Sequence, residues 1–415
     1  MRTLSRAINC TSLKSSARAA SCVFCAAGLF WAACATAFAE DWPNFRGPRF
    51  DGVSTETGLR YEWSQPIPLV WEQKLGPSYS SFACVGDRVF TCGQIDKQQV
   101  LVCLEAATGK ILWKFPIEKE WVQNSWDGTR ATPTVHDGKV YVHGAHGRLV
   151  CVNASDGALV WERTFNHVPQ WGYSGSVLIE GELAVLSGGK DQGALTALNR
   201  TTGEVVWKSG DDPAGYATPY PFTFNGKRYI VGFTGVSAVI VEAGTGRLVL
   251  RIPWKTSYDV NAASPIFHDG KLFLTSGYNT GCGLFKIEPD GENLKVSEIW
   301  KSTVLLSKFQ TCLLHEGFLF GSDQNSLACV EFATGREVWR VPRLRDGTLV
   351  LAEGNLVFLG SEGKLRIAKA SAEGFKPMTE AEILADRCWT VPVIHNGRLL
   401  ARDNADRVVC FNLKP

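Results

Sequence analysis

Six short segments of the chain combine aromatic, cationic, amide and carboxylate side chains, and each leads into an apolar stretch. They lie at residues 123–133, 170–176, 213–219, 257–265, 306–311 and 386–392. Trp and Tyr rings can stack on a planar ligand, while Arg, Lys, Asn and Gln can hydrogen bond to its edges. The candidate ligand-binding residues are Trp126, Asp127, Arg130, Trp171, Tyr173, Tyr216, Asp259, Asn261, Lys308, Gln310, Arg387 and Trp389.

Two other interpretations of these segments remain open. Asp127, Asp259 and Asn261 carry the oxygen atoms that Ca²⁺ prefers, but their spacing does not require a metal, so we assign no metal ligand. The segments are also compatible with a structural role, in which Ser, Thr and Asn side chains satisfy backbone groups at strand ends.

The sequence lacks the common catalytic motifs. It contains no G-x-S-x-G elbow, no phosphate-binding Walker loop and no H-E-x-x-H helix. Four of the seven histidines, His136, His268, His315 and His395, occupy one equivalent position beside a turn. They therefore indicate a repeat rather than a cluster of metal ligands.

A phrase of 15 residues recurs along the chain and defines the elements that must position the six segments. It reads GRLVCVNASDGALVW at residues 147–161 and returns at 99–113, 193–207 and 325–339. In the unit 132–161, turns such as Asp137-Gly138 and Asp156-Gly157 separate four short apolar stretches. Because Gly readily adopts the positive φ of a tight hairpin, we expect four antiparallel strands in each unit.

Eight copies of the first hairpin turn predict eight such units. They are Gly86-Asp87, Asp137-Gly138, Glu180-Gly181, Asn225-Gly226, Asp269-Gly270, Glu316-Gly317, Glu353-Gly354 and Asn396-Gly397. A period of about 40 to 50 residues with four strands per unit is typical of a β-propeller. The predicted fold class is therefore all-β, a single eight-bladed propeller of four-stranded antiparallel blades over residues 66–415.

The two ends of the chain are predicted to meet in the last blade. Residues 392–413 supply only three strands, and the stretch around Trp71 supplies a spare fourth strand that would close the ring. Residues 40–65 form an N-terminal leader segment. Residues 1–39 have a basic start, an apolar run and an Ala37-Phe38-Ala39 cleavage site, as a signal peptide does. We expect a periplasmic or secreted protein, and favour cleavage near Ala39 over lipidation at Cys34.

The charge balance of the chain indicates which kinds of partner to expect. The full chain has 43 basic and 41 acidic residues, and removing the four basic residues of 1–39 leaves 39 against 41. This balance predicts no nucleic-acid partner, and the apolar run is too short for a transmembrane span. We expect a monomer.

Among the nine cysteines after residue 39, Cys103, Cys151, Cys329 and Cys410 share one strand position and are expected to be buried thiols. A bridge between Cys84 and Cys92 remains open.

The pattern A-x-x-G-x-x-x-W, as in residues 154–161, resembles the repeat of the quinoprotein-dehydrogenase-like propellers, the pyrroloquinoline quinone (PQQ) repeats. The resemblance covers nearly all of the chain after residue 39. Size and blade count are similar to BamB, the propeller subunit of the outer-membrane barrel-assembly machine. The stretch DWPNFRGPRFDG at 41–52 resembles the leader of exported bacterial PQQ-like repeat proteins.

The resemblance implies roles for particular residues. In this family the outer-strand tryptophan packs against the turn of the neighbouring blade, and we expect this docking role for Trp71, Trp113, Trp161, Trp207, Trp300 and Trp339. The enzymes of the family hold PQQ with Ca²⁺ on the axis, use an Asp as base and often have two adjacent cysteines.

This sequence has no adjacent cysteine pair and no c-type haem motif. We therefore expect a non-catalytic binding or scaffold module with a small-molecule or protein-partner surface at the axial mouth. The alternative is a small PQQ- and Ca²⁺-dependent dehydrogenase acting on an alcohol or sugar. No cofactor is assigned, and PQQ and Ca²⁺ remain candidates.

Overall fold

The computed structural model describes residues 40–123 and 126–415. The predicted signal peptide, residues 1–39, lies outside these residues. The described chain forms eight sheets, seven of four antiparallel strands and one in which a short parallel strand joins four antiparallel strands, and the predicted all-β eight-bladed propeller is confirmed. The other regular elements are two short 3₁₀ turns, Lys190–Gln192 and Ser257–Asp259.

The strands of each blade are given in order from the innermost to the outermost. Blade 1 contains Ala83–Val85, Arg88–Ile95, Gln98–Glu105 and Ile111–Lys119. Blade 2 contains Thr134–His136, Lys139–His143, Arg148–Asn153 and Leu159–Thr164. Blade 3 contains Leu178–Glu180, Leu183–Leu186, Leu195–Asn199 and Val205–Ser209. Blade 4 contains Tyr220–Phe224, Lys227–Phe233, Ser237–Glu242 and Leu248–Pro253.

The second half of the ring follows the same plan. Blade 5 contains Ile266–His268, Lys271–Ser276, Gly281–Asp290 and Asn293–Ser302. Blade 6 contains Leu313–His315, Phe318–Asp323, Ser326–Glu331 and Glu337–Pro342. Blade 7 contains Gly347–Ala352, Asn355–Gly360, Lys364–Lys369 and Pro377–Glu382, and Val53–Ser54 pairs in parallel with its innermost strand. Blade 8 contains Val393–His395, Arg398–Arg402, Arg407–Asn412 and, from the N-terminal side, Leu69–Lys74.

The strand Leu69–Lys74 closes the ring as expected. It pairs antiparallel with Arg407–Asn412, and Trp71 lies opposite Cys410. The last blade is thus built from residues at both ends of the propeller, which ties these two parts of the chain together.

The hairpin turns between the first two strands of the blades show the expected backbone geometry. Asp137 and Gly138 have φ values of 45° and 68°, as a type I′ turn requires. In blade 3 the prediction is one residue out of register, because Glu180 ends a strand and the turn residues are Gly181 and Glu182. Gly181, with φ of 56°, takes the first turn position there, as Gly86 does in blade 1.

The outer-strand tryptophans bridge adjacent blades. Trp161 of blade 2 is 7% exposed, and its Nε1 donates a hydrogen bond to the carbonyl of Arg200 in blade 3 at 3.0 Å. A Cβ atom at Gly203 would lie 2.6 Å from the indole, so only glycine fits beneath the ring. The same contact joins Trp71 to Gly109, Trp113 to Gly157, Trp207 to Gly246 and Trp300 to Gly335. Trp339 has no such glycine contact but keeps the hydrogen bond, donating to the carbonyl of Ser371 in blade 7 at 2.9 Å.

The cysteines act as small core residues. Cys103, Cys151, Cys329 and Cys410 each lie directly opposite a docking tryptophan on the adjacent strand. All nine described cysteines are buried and free, so Cys84 and Cys92 are not bridged. Within the described part of the chain, no helix has the length and apolar character needed to cross a membrane.

Candidate functional site

A pocket opens on the propeller axis, at the end where the chain enters the innermost strand of each blade. Its volume is about 300 Å³. It is lined by Phe45, Tyr79, Ser81, Trp126, Arg130, Thr132, Trp171, Ser174, Ser176, Tyr216, Thr218, Val260, Ala262, Tyr278, Lys308, Phe309, Trp389, Thr390 and Val391. Most of these residues belong to links that lead into the innermost strands, because every blade begins at the same end of the axis.

The structure brings half of the twelve candidate residues into this wall. They are Trp126, Arg130, Trp171, Tyr216, Lys308 and Trp389. Arg387 lies beside the wall, with its guanidinium 4.7 Å from the ring centre of Trp126 and 4.8 Å from that of Trp389.

One group of aromatic rings is built around Trp389. The Trp126 and Trp389 rings stack with centres 4.8 Å apart and planes 14° apart. Phe309 packs against Trp389 at 4.4 Å, and Tyr79 lies 6.1 Å from it. The Nε1 atom of Trp389 is buried and has no hydrogen-bond partner in the described chain. This group provides a flat apolar surface with an unused indole donor.

A second group of rings comes from blades 3 to 5. Trp171 lies 6.0 Å from Tyr216 and 6.0 Å from Tyr258, and Tyr258 lies 6.0 Å from Tyr278. The Tyr216 hydroxyl accepts a weak hydrogen bond from the Trp171 amide at 3.4 Å. Burial raises the pKa of Tyr216 to about 12, so the phenol stays neutral near pH 7.

Arg130 supplies a fixed positive charge to the pocket. Its guanidinium donates to the carbonyls of Trp126 at 2.6 Å, Gly128 at 3.2 Å and Trp171. It also lies 5.0 Å from the ring centre of Tyr79, within the range of a cation–π contact. Burial lowers the pKa of Arg130 to about 10, so the group remains charged at neutral pH.

Lys308 supplies a second positive charge, which lies against aromatic rings. Its Nζ lies 5.0 Å from the ring centre of Tyr278 and 5.6 Å from that of Phe309. Among the described residues, it has no carboxylate within 4.0 Å. Because the pocket wall contains Arg130 and Lys308 and no Asp or Glu, it carries net positive charge.

Four small hydroxyl residues of the wall hold neighbouring blades together. The Ser81 amide donates to Thr132 Oγ1 at 3.0 Å, and the Thr132 amide donates to Ser176 Oγ at 3.1 Å. The Ser176 amide donates in turn to Thr218 Oγ1 at 3.0 Å. This chain of contacts links blades 1 to 4 around the axis. For these residues the structural interpretation of the links holds.

Two candidate residues face the protein interior instead of the pocket. Tyr173 is 2% exposed, stacks on His143 with ring centres 4.2 Å apart and donates to the carbonyl of Gly188 at 2.8 Å. Asn261 is fully buried, where its Nδ2 donates to the carbonyls of Thr234 and Trp254 and its Oδ1 accepts from Ser276. Both side chains support the backbone that carries the wall.

Three further candidates lie near the pocket but outside its wall. Asp127 Oδ1 accepts a hydrogen bond from the Gln123 amide at 2.6 Å, and Asp259 packs against Gly235. Gln310 donates to Asp346 at 3.1 Å and lines an adjoining polar pocket of about 340 Å³ with Tyr278 and Lys308.

Sequence reasoning missed the four other aromatic residues of the wall. Tyr79 and Phe309 lie in links like the others, and Phe309 directly follows the candidate Lys308. Tyr278 lies in a tight turn of blade 5 with φ of 57°, which gives no repeat signal. Phe45 belongs to the leader segment, whose path cannot be inferred from the repeats.

The donor set of the site does not fit Ca²⁺. This ion takes six to eight oxygen ligands, mostly from carboxylates and carbonyls. The pocket wall offers no carboxylate, and Asn261 already uses both ends of its amide. No group of three or more His, Cys, Asp and Glu side chains in residues 40–123 and 126–415 is arranged to hold a metal ion.

Comparison with known proteins agrees with the fold. A family model described as outer membrane protein assembly factor BamB matches residues 68–145 and 98–341. The chain is 24% identical over 175 residues to the outer membrane protein assembly factor BamB of Moranella endobia (strain PCIT), covering 40% of this chain and 42% of that protein. It is 26% identical over 128 residues to the quinohemoprotein alcohol dehydrogenase ADH IIB of Pseudomonas putida, covering 29% of this chain and 19% of that protein. The chain thus spans less than half of the length of these two relatives.

Solved structures show the same architecture. BamB from Moraxella catarrhalis matches with a TM-score of 0.60 at 14% identity, covering 83% of this chain and 99% of that one. A europium-containing methanol dehydrogenase matches with a TM-score of 0.65 at 11% identity, covering 89% of this chain and 90% of that one. Likeness at this level of identity establishes the fold alone. With the family model spanning most of the blades, the chain belongs to the PQQ-like repeat propeller family described as outer membrane protein assembly factor BamB.

Proposed function

We propose that this chain is an exported, non-catalytic binding propeller whose axial pocket binds a flat aromatic anion. The observation that carries the proposal is the composition of the wall: two groups of aromatic rings and two cations, Arg130 and Lys308, without a carboxylate. Aromatic faces favour a planar ligand, and cations in the wall favour a negative one.

The wall supports binding better than catalysis. Its 19 residues include no His, Cys, Asp or Glu that could serve as a general base or an activated nucleophile. Several of its hydroxyls are engaged by backbone groups, such as Ser81 Oγ, which donates to the carbonyl of Val391 at 2.7 Å. Such a wall can hold and orient a ligand.

The alternative, a PQQ- and Ca²⁺-dependent dehydrogenase acting on an alcohol or sugar, fits the wall only in part. PQQ is planar and carries carboxylates, so its rings and charges suit the aromatic groups and the two cations. When bound with a metal in the family's enzymes, PQQ supplies the redox chemistry. The wall has neither the carboxylates for Ca²⁺ nor a base, so we place PQQ among the candidate ligands and not among the catalytic cofactors.

The proposal includes the setting of the protein. We place a single propeller at residues 66–415 behind the leader segment 40–65, with cleavage near Ala39 and a monomer in the periplasm or outside the cell. The similarity to BamB proteins supports this location. We favour a small ligand over a protein partner because the wall encloses about 300 Å³, the size of a small-molecule site.

Calorimetry with the purified protein tests the proposal. The probes are 2-naphthoate, the neutral 2-naphthamide, and PQQ with Ca²⁺ or with a chelator. We expect the carboxylate to bind about tenfold tighter than the amide, since one charge contact near a protein surface is worth on the order of 1 kcal/mol. PQQ should bind equally well with the chelator. Absence of binding by every probe, or dye reduction with alcohols or sugars, would overturn the proposal.

A matched pair of lysine variants isolates the charge. Lys308→Met removes the cation over Tyr278 and should weaken 2-naphthoate binding about fivefold to tenfold. Lys301→Met removes a cation that lies 4.9 Å from the ring of Trp254, away from the pocket, and should leave binding unchanged. Equal effects of the two changes would show that charge acts at long range rather than in the wall.

A further inference from the structure

The leader segment is built into the propeller at the end opposite to the pocket mouth. Trp42 is 2% exposed and forms a two-way backbone bridge with Cys84 of blade 1. The Pro43 carbonyl accepts a hydrogen bond from the Val135 amide of blade 2 at 2.7 Å. Asp41 accepts from the Gly86 amide, in the first hairpin turn of blade 1, at 2.8 Å. This end of the axis is therefore the end of the hairpin turns.

The same segment contacts the other side of the ring. Arg46 is 3% exposed, and its guanidinium donates to the carbonyl of Asp51 at 2.6 Å and to that of Cys312, before blade 6, at 3.1 Å. Gly52 has φ of 75°, and a Cβ atom there would lie 2.8 Å from Leu313 of blade 6. Arg46 and Gly52 of the conspicuous leader motif thus serve close packing in the middle of the ring.

Two carboxylates fix the rest of the segment to blades 7 and 8. Glu56 accepts hydrogen bonds from the amides of Asn396 and Gly397, the first hairpin turn of blade 8. Glu353 of blade 7 accepts from the Gly58 amide at 2.9 Å and the Leu59 amide at 3.1 Å. A segment that contacts the inner parts of blades 1, 2, 6, 7 and 8 must cross the axis.

Phe45 lies at the centre of this crossing and is the one leader residue in the pocket wall. The geometry points to a plug: residues 41–56 close the axial channel at the turn end, and Phe45 forms the floor that sets the depth of the pocket. Phe45 is thus a specificity-determining residue for ligand length, an inference that rests on the proposed binding function. The ligand class is a fused-ring aromatic carboxylate short enough to fit above the Phe45 ring.

The first test compares two equal truncations within the plug. Phe45→Ala removes the floor, whereas Phe50→Ala removes the same ring at a position that packs against the blade core and not in the pocket. Binding of 2-naphthoate and the longer anthracene-2-carboxylate is measured by calorimetry. Phe45→Ala should shift the affinity ratio toward the longer probe by about tenfold, the scale of a size change in an apolar pocket. Phe50→Ala should leave the ratio unchanged.

An unchanged ratio in Phe45→Ala, while the wild-type protein binds 2-naphthoate, would overturn the floor and leave the binding function standing. A wild-type protein that binds neither probe would overturn the binding function, and with it the role of Phe45 in ligand length.

A second test reports on the plug without any ligand. The nine described cysteines are buried, so a cysteine introduced at residue 45 gives a clean labelling signal. The Phe45→Cys thiol should react with a small maleimide in the native protein. Arg387→Glu reverses a charge at the pocket mouth. It should change the labelling rate with a charged maleimide and leave the labelling rate with a neutral maleimide unchanged. Two results would overturn the placement of Phe45 at the pocket floor. One is a thiol that does not react, and the other is a labelling rate with the charged reagent that Arg387→Glu does not change.

Discussion

The outer rim and the axis of this propeller use aromatic residues in opposite ways. On the rim, five tryptophans each cover a glycine of the next blade, and the same contact repeats at these five of the eight junctions. At the axis, Trp126, Trp171 and Trp389 come from three different links, and their ring contacts follow no repeated pattern. A contact that repeats serves the fold, because each blade must dock on its neighbour. Aromatic residues that converge without repeating form a candidate ligand surface.

The two blades without a docking tryptophan support this distinction. Leu250 takes that position in blade 4, and its neighbour, blade 5, replaces the short turn with a long hairpin whose strands are Gly281–Asp290 and Asn293–Ser302. Thr379 takes it in blade 7, where the next blade draws its outermost strand from the N-terminal side and has no such turn. Thr379 donates instead to the carbonyl of Tyr61 at 2.8 Å. Tryptophan is thus absent where the turn that receives it is absent.

The largest expected effect is loss of a docking tryptophan. Trp161→Ala should lower the free energy of unfolding by about 3–5 kcal/mol, as for other buried aromatic truncations. The measurement is urea denaturation followed by intrinsic fluorescence. Val160→Ala on the same strand, 40% exposed, is the control and should cost less than about 0.5 kcal/mol. Similar losses for both variants would mean that the strand as a whole, and not the tryptophan, joins the blades.

The next effect tests the boundary between the two regions, where Tyr173 of an axial link stacks on His143 of blade 2. Burial lowers the pKa of His143 to about 3 from an ordinary value of about 6.5. Between pH 6.5 and pH 3, the unfolded chain therefore binds a proton at His143, whereas the folded chain does not. Stability from this group is complete above pH 6.5 and falls as the pH decreases toward 3, by about 2 kcal/mol at pH 5.

Urea denaturation at several pH values checks this prediction against His143→Phe, which keeps an aromatic ring beside Tyr173 and cannot titrate. The difference between wild type and variant should be constant above pH 7 and should change as the solution becomes more acidic, because only the wild-type protein loses stability there. A flat difference for His143→Phe would contradict a neutral His143 in the folded state.

At the axis the expected effect is on binding and not on stability. Trp389→Ala removes the ring that stacks on Trp126 and should weaken 2-naphthoate binding about tenfold, the worth of one aromatic contact. Its buried Nε1 has no partner, so truncation leaves no unpaired group behind. Trp63→Ala removes an indole whose ring centre lies 5.8 Å from the guanidinium of Arg60, away from the pocket, and should not change binding. A large loss of stability with unchanged binding would assign Trp389 to the fold.

The repeat made the fold predictable and left the site only partly so. Blade number, strand order and ring closure follow from short-range patterns, because each turn residue such as Gly138 dictates its own backbone geometry. The links reveal which side chains approach the axis but not which way each one points. Trp171 and Tyr173 are two residues apart in one link, yet one lines the pocket and the other stacks on His143.

The leader segment was the least predictable part. Its contacts reach residues such as Cys312 and Gly397, hundreds of positions away, and no period relates them. The sequence motif identified the segment, whereas its role in closing the axis depends on the completed ring. Long-range packing of this kind leaves no local pattern that a single sequence can show.

The smallest expected effect comes from restoring a tryptophan where the repeat lost it. Leu250→Trp should change the free energy of unfolding by less than about 0.5 kcal/mol, because the long hairpin of blade 5 offers no short turn to receive an indole. Trp207→Leu is the reverse exchange over an intact turn, at Gly246, and should cost about 1–3 kcal/mol. Thermal and urea denaturation of both variants measure the contrast. A gain of more than about 1 kcal/mol from Leu250→Trp would show that the outer strand alone favours tryptophan, whatever the next blade presents.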